Sequence, residues 1–277
     1  MNLEPWLETI GVCLVAVCGV LAGKWFSTFR KPYCCIGWIL AFLLISILIL
    51  VRYSLEMRFV QPFFLLTAGR TKFIILCLAA TIGMTSAVVH LSNRIARLSV
   101  AMIMGFIIGV FCIQPFLSSA LIEQELAGLK SRFDSDGICI QTTDFTCGPA
   151  AAVTALREFG IEASEGELAV LAHSTPIAGT FPGSLYSALK NRYGNEGLHF
   201  QYRQFQSLDQ LKNAGITLAV VKDVLFSDHC VAVLSVTDRA VIIADPSFGK
   251  MMLSPAQFEK IWRHCGIALK RQYTQNI

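Results

Sequence analysis

Gln141-Thr142-Thr143-Asp144-Phe145-Thr146-Cys147-Gly148-Pro149-Ala150 puts a cysteine where a polar loop turns into a helix, with a glutamine six residues upstream. The first turn of a helix carries unpaired N–H groups and the positive end of its dipole, which favour thiolate over thiol and can hold an oxyanion. Pro149 suits that turn because its missing N–H costs nothing there, and the small residues Gly148, Ala150, Ala151 and Ala152 let other backbone come close. Asp144 reads as a turn former and Thr146 as a helix cap. A buried, inert cysteine is the commoner fate of a lone Cys, so the reading depends on what the rest of the chain supplies.

A base and an orienting carboxylate are available downstream. His229 sits where the polar stretch Phe226-Ser227-Asp228 becomes the apolar run Cys230-Val231-Ala232-Val233-Leu234, a rigid place for an imidazole. Asp245 closes the run Val241-Ile242-Ile243-Ala244 ahead of Pro246; it would fix the imidazole tautomer if the two strands pair, although an Asp-Pro turn opener is the ordinary role of such a residue. Gln141 can donate a side-chain N–H to an oxyanion alongside the backbone N–H of Cys147. His264 is the second choice of base; His90, His173 and His199 occupy less suitable positions. Cys230 follows His229 directly and should point to the other face of the strand as packing.

The chain has 277 residues, of which 54% are hydrophobic and 15% charged, and the apolar excess lies in the first 120. Four apolar segments, near 7–23, 36–52, 73–90 and 98–119, approach the length of about 20 residues that crosses a bilayer as a helix. The first is read as a retained span, since Glu4 and Glu8 precede it and no Ala-x-Ala-like cleavage site follows before Lys24. Residues 59–69 are also apolar and are expected at the interface or re-entering the bilayer. Lys24, Arg30, Lys31, Arg94 and Arg97 on one side balance Arg52, Arg58, Arg70, Lys72, Lys130 and Arg132 on the other, so basic residues do not choose an orientation. Gly19 and Gly23, and the GxxxG pair Gly105 and Gly109, would allow close helix contacts. The ten cysteines contain no CxxC pair and no zinc spacing, so neither a metal nor another cofactor is expected; a net charge of +4 without a basic run gives nucleic acid no footing.

The remaining residues read as a linker helix at 121–137, amphipathic over 121–130, and a domain at 138–277. Helices are expected near 147–159, 164–173, 182–192, 207–214 and 254–263, opened by Ser164 with Glu167, Ser207 with Gln210 and Ser254 with Gln257 as capping boxes, with Gly160, Gly194 and Gly215 as stops. Strands are expected at 200–204, 216–222, 229–236, 240–244 and 267–271. Helices first and strands later argue for an α+β domain in which the nucleophile helix packs on an antiparallel sheet, behind a four-span α-helical membrane region at 1–120.

Glutamine six before a Cys-Gly that opens a helix, Gly179-Thr180 before another helix, the His229 strand, and Ile243-Ala244-Asp245-Pro246 with Gly249-Lys250 together resemble the papain-like cysteine peptidases that remove double-glycine leader peptides from bacteriocins. The resemblance covers about residues 138–266. It implies Cys147 as nucleophile, His229 as base, Asp245 as its orienter and Gln141 as oxyanion donor. The best-known members carry the peptidase ahead of the membrane domain of an ATP-driven exporter, whereas here it follows the spans and no Walker motif occurs, which implies a separate exporter as partner. The family's peptidases face the cytoplasm; with four spans both termini would lie inside. The expected protein is a multi-pass, membrane-anchored thiol peptidase that cleaves a peptide leader or small protein through an acyl-enzyme. Transfer of that acyl group to an amine would use the same residues. The rival is a non-catalytic papain-like module that binds leader peptides for a separate exporter.

Overall fold

The computed structural model describes residues 4–30, 33–53, 71–222 and 228–271. The apolar stretch at 59–69 and the basic residues Lys31, Arg58 and Arg70 lie outside them. The chain divides into two compact units, Met1–Leu121 and Ile122–Ile277.

The first unit is helical: α1 (Glu4–Ser27), α2 (Ile36–Tyr53), α3 (Thr71–His90) and α4 (Arg94–Leu121). Three stretches among the described residues are long and apolar enough to cross a membrane, Trp6–Ser27, Thr71–His90 and Arg94–Leu121, while that of α2, Ile36–Val51, is shorter. At the rise of an α-helix its 16 residues span about 24 Å, against a hydrocarbon core of ~30 Å. Three helices of spanning length and a shorter fourth thus stand where four full spans are expected.

Small residues let α1 and α2 close on α3. A side chain added at Gly19 would strike Thr81, one at Gly23 would lie 2.7 Å from the Ile82 carbonyl oxygen, and one at Gly83 would lie 2.8 Å from Ala41 Cβ. Ser86 Oγ donates across to the Gly23 carbonyl at 3.2 Å, the kind of polar contact that joins helices in an apolar setting. Among the described residues, neither Gly105 nor Gly109 has a neighbour that an added Cβ would touch. Within α4 the backbone widens to a π-helical turn at Ile108–Ile113, just ahead of Pro115, whose ring and missing N–H an unbroken α-helix accommodates poorly. Leu7, Leu14, Leu21, Ile39, Phe42, Ile95 and Phe106 point outward.

The second unit begins with α5 (Glu123–Ala127) and a hairpin of β1 (Arg132–Phe133) with β2 (Cys139–Ile140), so the helical part of the expected linker is five residues long. Then come α6 (Cys147–Glu158), α7 (Glu165–Leu171), α8 (Pro182–Tyr193), β3 (Leu198–Gln204), α9 (Leu208–Lys212), β4 (Ile216–Lys222), β5 (Asp228–Val236), β6 (Val241–Asp245), β7 (Gly249–Leu253), α10 (Pro255–Ile261) and β8 (Trp262–Arg271). The sheet is antiparallel throughout, in the order β3-β8-β4-β5-β6-β7. Strand β7 falls where only a turn was expected after Asp245. Helices α6 and α8 cover one face through Val153, Leu156, Leu185 and Leu189 against Leu218, Ala232, Ala244 and Ile267. Phe205, Leu211, Phe258 and Trp262 fill the other face over Ala219, Val231, Val233 and Ile243.

The serine caps hold: Ser164, Ser207 and Ser254 accept from Glu167, Gln210 and Gln257 N–H groups. Only Ser254 has the reciprocal bond of a capping box, since Glu167 turns to Arg192 at 2.7 Å and Gln210 to the N–H of Gln206 at 3.0 Å. Gly160 and Gly215 leave their helices with positive φ, but Gly194 stays right-handed and Gly197 makes the left-handed turn instead.

Candidate active site

Helix α6 starts at Cys147, and its next nine residues, Gly148 to Leu156, are buried. A side chain at Gly148 would come within 3.2 Å of Leu185 and 3.3 Å of Thr180, so glycine is what lets the segment before α8 lie against the start of α6. That segment holds the loop ahead of the thiol: Thr180 Oγ1 donates to the Phe145 carbonyl at 3.2 Å and pairs with Ser174 Oγ at 2.6 Å. Strand β2 is tied to the same helix by the Cys139 N–H, which donates to Thr154 Oγ1 at 2.9 Å.

Cys147 is partly exposed, unlike the buried Cys139 and Cys265. His229 and Asp245 come from neighbouring antiparallel strands, paired through Ala232 with Ala244 and Val233 with Ile243. The register sets the two side chains diagonally at one end of the sheet, and His229 Nε2 meets Asp245 Oδ1 at 2.9 Å. The same oxygen accepts the Ser247 N–H at 2.8 Å, which fixes the carboxylate in the β6–β7 turn. Asp245 is only 6% exposed.

Electrostatics follow this packing. Burial disfavours charge on His229, but its hydrogen bond to Asp245 and the influence of the Cys147 side chain outweigh it and raise its pKa from 6.5 to about 10. Burial pushes the Asp245 carboxyl up, and its bonds to His229 and to the Ser247 and Phe248 backbone pull it below the ordinary value of 3.8. Cys147 thus stands at the start of the helix that packs on the His229 strand, and the His229 Nε2 is taken by Asp245.

Gln141 follows β2, and its backbone N–H donates to the Pro246 carbonyl at 2.9 Å, beside Asp245. Its side-chain Oε1 is buried without a hydrogen-bond partner. A buried amide oxygen left unpaired costs about 1–3 kcal/mol, and such exceptions call for an explanation.

The other sequence-based expectations divide. Asp144 lies exposed in a turn, as expected. Thr146 precedes α6 but does not cap it: its Oγ1 donates to Glu165 Oε1 at 2.6 Å. Cys230 packs against the core beneath α6, and burial, then the charge of Cys147, pushes its thiol pKa up. His264, the second choice of base, stacks on Trp262 with ring centroids 4.6 Å apart. Glu165 was missed altogether. It is fully buried and takes bonds from Thr142 and Thr146, a role that local spacing does not reveal because its partners lie 23 and 19 residues away. Among the described residues no group of three or more His, Cys, Asp or Glu is arranged to hold a metal ion.

Residues 136–274 match the model of the Peptidase C39 family. An uncharacterized protein of Methanothermobacter marburgensis is 29% identical over 148 residues, which is 53% of this chain and 98% of that protein. Another, from Methanothermobacter thermautotrophicus, is 26% identical over 138 residues, 50% of this chain and 91% of that protein. Among solved structures, the peptidase domain of Streptococcus ComA, a bi-functional ABC transporter involved in a quorum-sensing pathway, aligns at 21% identity and a TM-score of 0.42, over 48% of this chain and 96% of that one. A double-glycine-motif protease from an AMS/PCAT transporter, in complex with its leader peptide, aligns at 16% identity and a TM-score of 0.40, over 52% of this chain and 94% of that one.

Proposed function

From the premise that this chain belongs to the Peptidase C39 family, we propose that it is a membrane-anchored cysteine peptidase that cleaves a peptide leader or small protein. The observation that carries this reading is the pairing of His229 Nε2 with the buried Asp245 carboxylate at 2.9 Å, on strands that pack beneath the helix whose first residue is the partly exposed Cys147.

In this reading the sulfur attacks as a thiolate beside the His229 imidazolium, whose charge fits a pKa of about 10. With Nε2 held by Asp245, Nδ1 is the nitrogen that exchanges a proton with the sulfur. Sγ attacks the peptide carbonyl carbon, and the oxyanion is received by the Cys147 N–H and the Gln141 amide. Nδ1–H passes its proton to the leaving amine, giving an acyl-enzyme. Water, deprotonated by His229, then releases the acyl group and restores the thiolate.

The N-terminal helices are proposed to cross the membrane four times, α2 being the shortest, and to hold the peptidase unit (138–277) at the cytoplasmic face through the linker at 121–137. A separate ATP-driven exporter would receive the trimmed product.

Peptide cleavage by the detergent-solubilised full chain, against a library that includes double-glycine leaders, tests the activity. Cleavage by wild type and its loss in both Cys147→Ala and His229→Ala support the peptidase. Binding of leaders with no cleavage across the library would overturn it in favour of a leader-presenting module.

A further inference from the structure

Glu165 is the first residue of α7, where Ser164 is the cap. It is 0% exposed, yet it faces neutral donors, and among the described residues no cation pairs with it. Oε1 accepts the Thr142 N–H at 2.8 Å and the Thr146 hydroxyl at 2.6 Å, and Oε2 accepts the Thr142 hydroxyl at 2.6 Å. A buried carboxylate without a counter-ion is costly, and an apolar side chain would fill the same space without that cost. What the carboxylate adds is directional: it grips both ends of a loop.

That loop joins the two halves of the proposed catalytic machinery. Thr142 follows Gln141, and Thr146 precedes Cys147. Since Thr146 gives its hydroxyl to Glu165 and not to the helix, the turn into Cys147 is set from α7. Glu165 is itself braced from the other side. Its backbone N–H donates to Ser131 Oγ at 2.9 Å, and a Cβ on the adjacent Gly166 would lie 2.5 Å from the Leu126 carbonyl oxygen and 2.8 Å from that of Leu129. The end of α5 and the segment following it therefore back the same helix start whose carboxylate holds the catalytic loop.

We propose that Glu165 is a positioning residue of the peptidase site: acting through Thr142 and Thr146, it fixes the loop so that the Gln141 amide and the Cys147 thiol face the same substrate carbonyl. This rests on the peptidase reading above. Displacements of about 1 Å at such a site cost rate on the order of 100-fold while leaving remote substrate contacts in place.

The test uses the full chain in detergent with Glu165→Gln, Glu165→Ala and Thr146→Val. It reads kcat and KM on a peptide the wild type cleaves, and the pH midpoint of Cys147 alkylation by iodoacetamide, followed by mass spectrometry of the Cys147 peptide. In Glu165→Gln the amide oxygen can keep both Oε1 bonds, so kcat should stay within about 3-fold of wild type. In Glu165→Ala, kcat should fall ~100-fold with KM within about 3-fold, the pattern of a lost transition-state interaction. The alkylation midpoint separates position from charge. Deleting a negative charge alone eases thiolate formation and moves the midpoint down in both variants; loss of position separates Cys147 from His229 and moves it up in Ala only.

An Ala variant with unchanged kcat and midpoint overturns the proposal, as do equal downward shifts in Gln and Ala. If Glu165→Ala shows no cooperative thermal transition, Thr146→Val decides: it removes one hydroxyl, a kcat loss of about 10-fold supports the proposal, and an unchanged kcat overturns it. A wild type that cleaves no peptide of the library overturns the peptidase reading, and this proposal with it, before any variant is compared.

Discussion

The backbone N–H of Gln141 donates to the carbonyl oxygen of Pro246 at 2.9 Å, so the residue six before the thiol is fastened to the one directly after Asp245. Two segments 105 residues apart are thereby joined, and with them the proposed oxyanion donor Gln141 and the proposed orienting carboxylate Asp245. Because the bond is made by backbone, it leaves the Gln141 side chain uncommitted, and among the described residues its buried Oε1 has no hydrogen-bond partner.

Gln141→Ala should therefore separate catalysis from folding. The Pro246 bond survives the substitution, and an unsatisfied buried atom disappears. The expected loss is about 10²–10³ in kcat, the usual cost of one oxyanion donor, with the unfolding midpoint unchanged or slightly raised. Steady-state kinetics and thermal unfolding on the same preparation check it. A kcat equal to wild type would remove Gln141 from the mechanism.

The pH profile follows from His229. With its pKa raised from 6.5 to about 10, the ring stays charged through neutrality, and the alkaline limb of kcat/KM should lie well above pH 7. Asp245→Asn takes away a hydrogen-bonded charge but leaves the burial that lowers the pKa, so the limb should move down by about one unit or more. For stability the signs differ. The raised pKa of His229 contributes stability in full below 6.5, lost as pH rises through about 10; the lowered pKa of Asp245 contributes above 3.8, lost as pH falls through its depressed value. The pair should stabilise most between those two reference values. A limb that Asp245→Asn leaves in place would contradict the assignment.

Thiol chemistry gives an independent check. Burial, then the charge of Glu165, raises Cys139 to about 12, whereas Cys147 is partly exposed beside His229. Iodoacetamide at pH 7 should label Cys147 faster than Cys139 by about 100-fold or more in the native protein, and the two at similar rates after denaturation. Equal native rates would mark Cys147 as an ordinary cysteine.

What the sequence disclosed and what it concealed divide along the reach of local rules. The helix starts at Ser164, Ser207 and Ser254 were legible because each cap bonds within three residues, and His229 and Asp245 because apolar runs end at them. Strand β7 was hidden because Pro246 and Gly249 read as turn residues, although Gly249 already pairs with Asp245. Glu165 was concealed by its neighbours: Ser164 with Glu167 fits a capping box, but Glu167 pairs with Arg192 at 2.7 Å, and the carboxylate that accepts from the loop before Cys147 is Glu165, two residues earlier. Contacts across 19 to 25 residues leave no periodic trace.

Gly249 also predicts a stability effect that reaches the site. Its φ is +80°, and a Cβ there would lie 2.7 Å from Asp134 Oδ2. Gly249→Ala combines left-handed strain with that contact and should cost about 1–3 kcal/mol, lowering the thermal midpoint by several degrees. Since the turn that ends at Gly249 holds Ser247 against Asp245, kcat should fall as well. An unfolding midpoint equal to wild type would show that the turn relaxes freely.

The membrane reading turns on α2. Its apolar stretch Ile36–Val51 is shorter than the other three, so whether it crosses decides the sidedness of everything after it. If all four helices cross, the connection after α1 at Thr28 and the one before α4 at Ser92 lie on the same side, opposite the peptidase. If α2 does not cross, Thr28 and Ser92 lie on opposite sides. Helix α2 presses on α3 through Gly83 against Ala41, a packing suited to a helix bundled with its neighbours, and a short span is tolerated by local thinning of the bilayer. The expected outcome is therefore four crossings. Epitopes inserted after Thr28 and after Ser92, probed in sealed right-side-out and inverted vesicles, should be accessible in the same preparation, and protease should reach the peptidase unit only in the other. Accessibility of the two epitopes in opposite preparations would overturn four crossings and move the peptidase unit to the other side of the membrane.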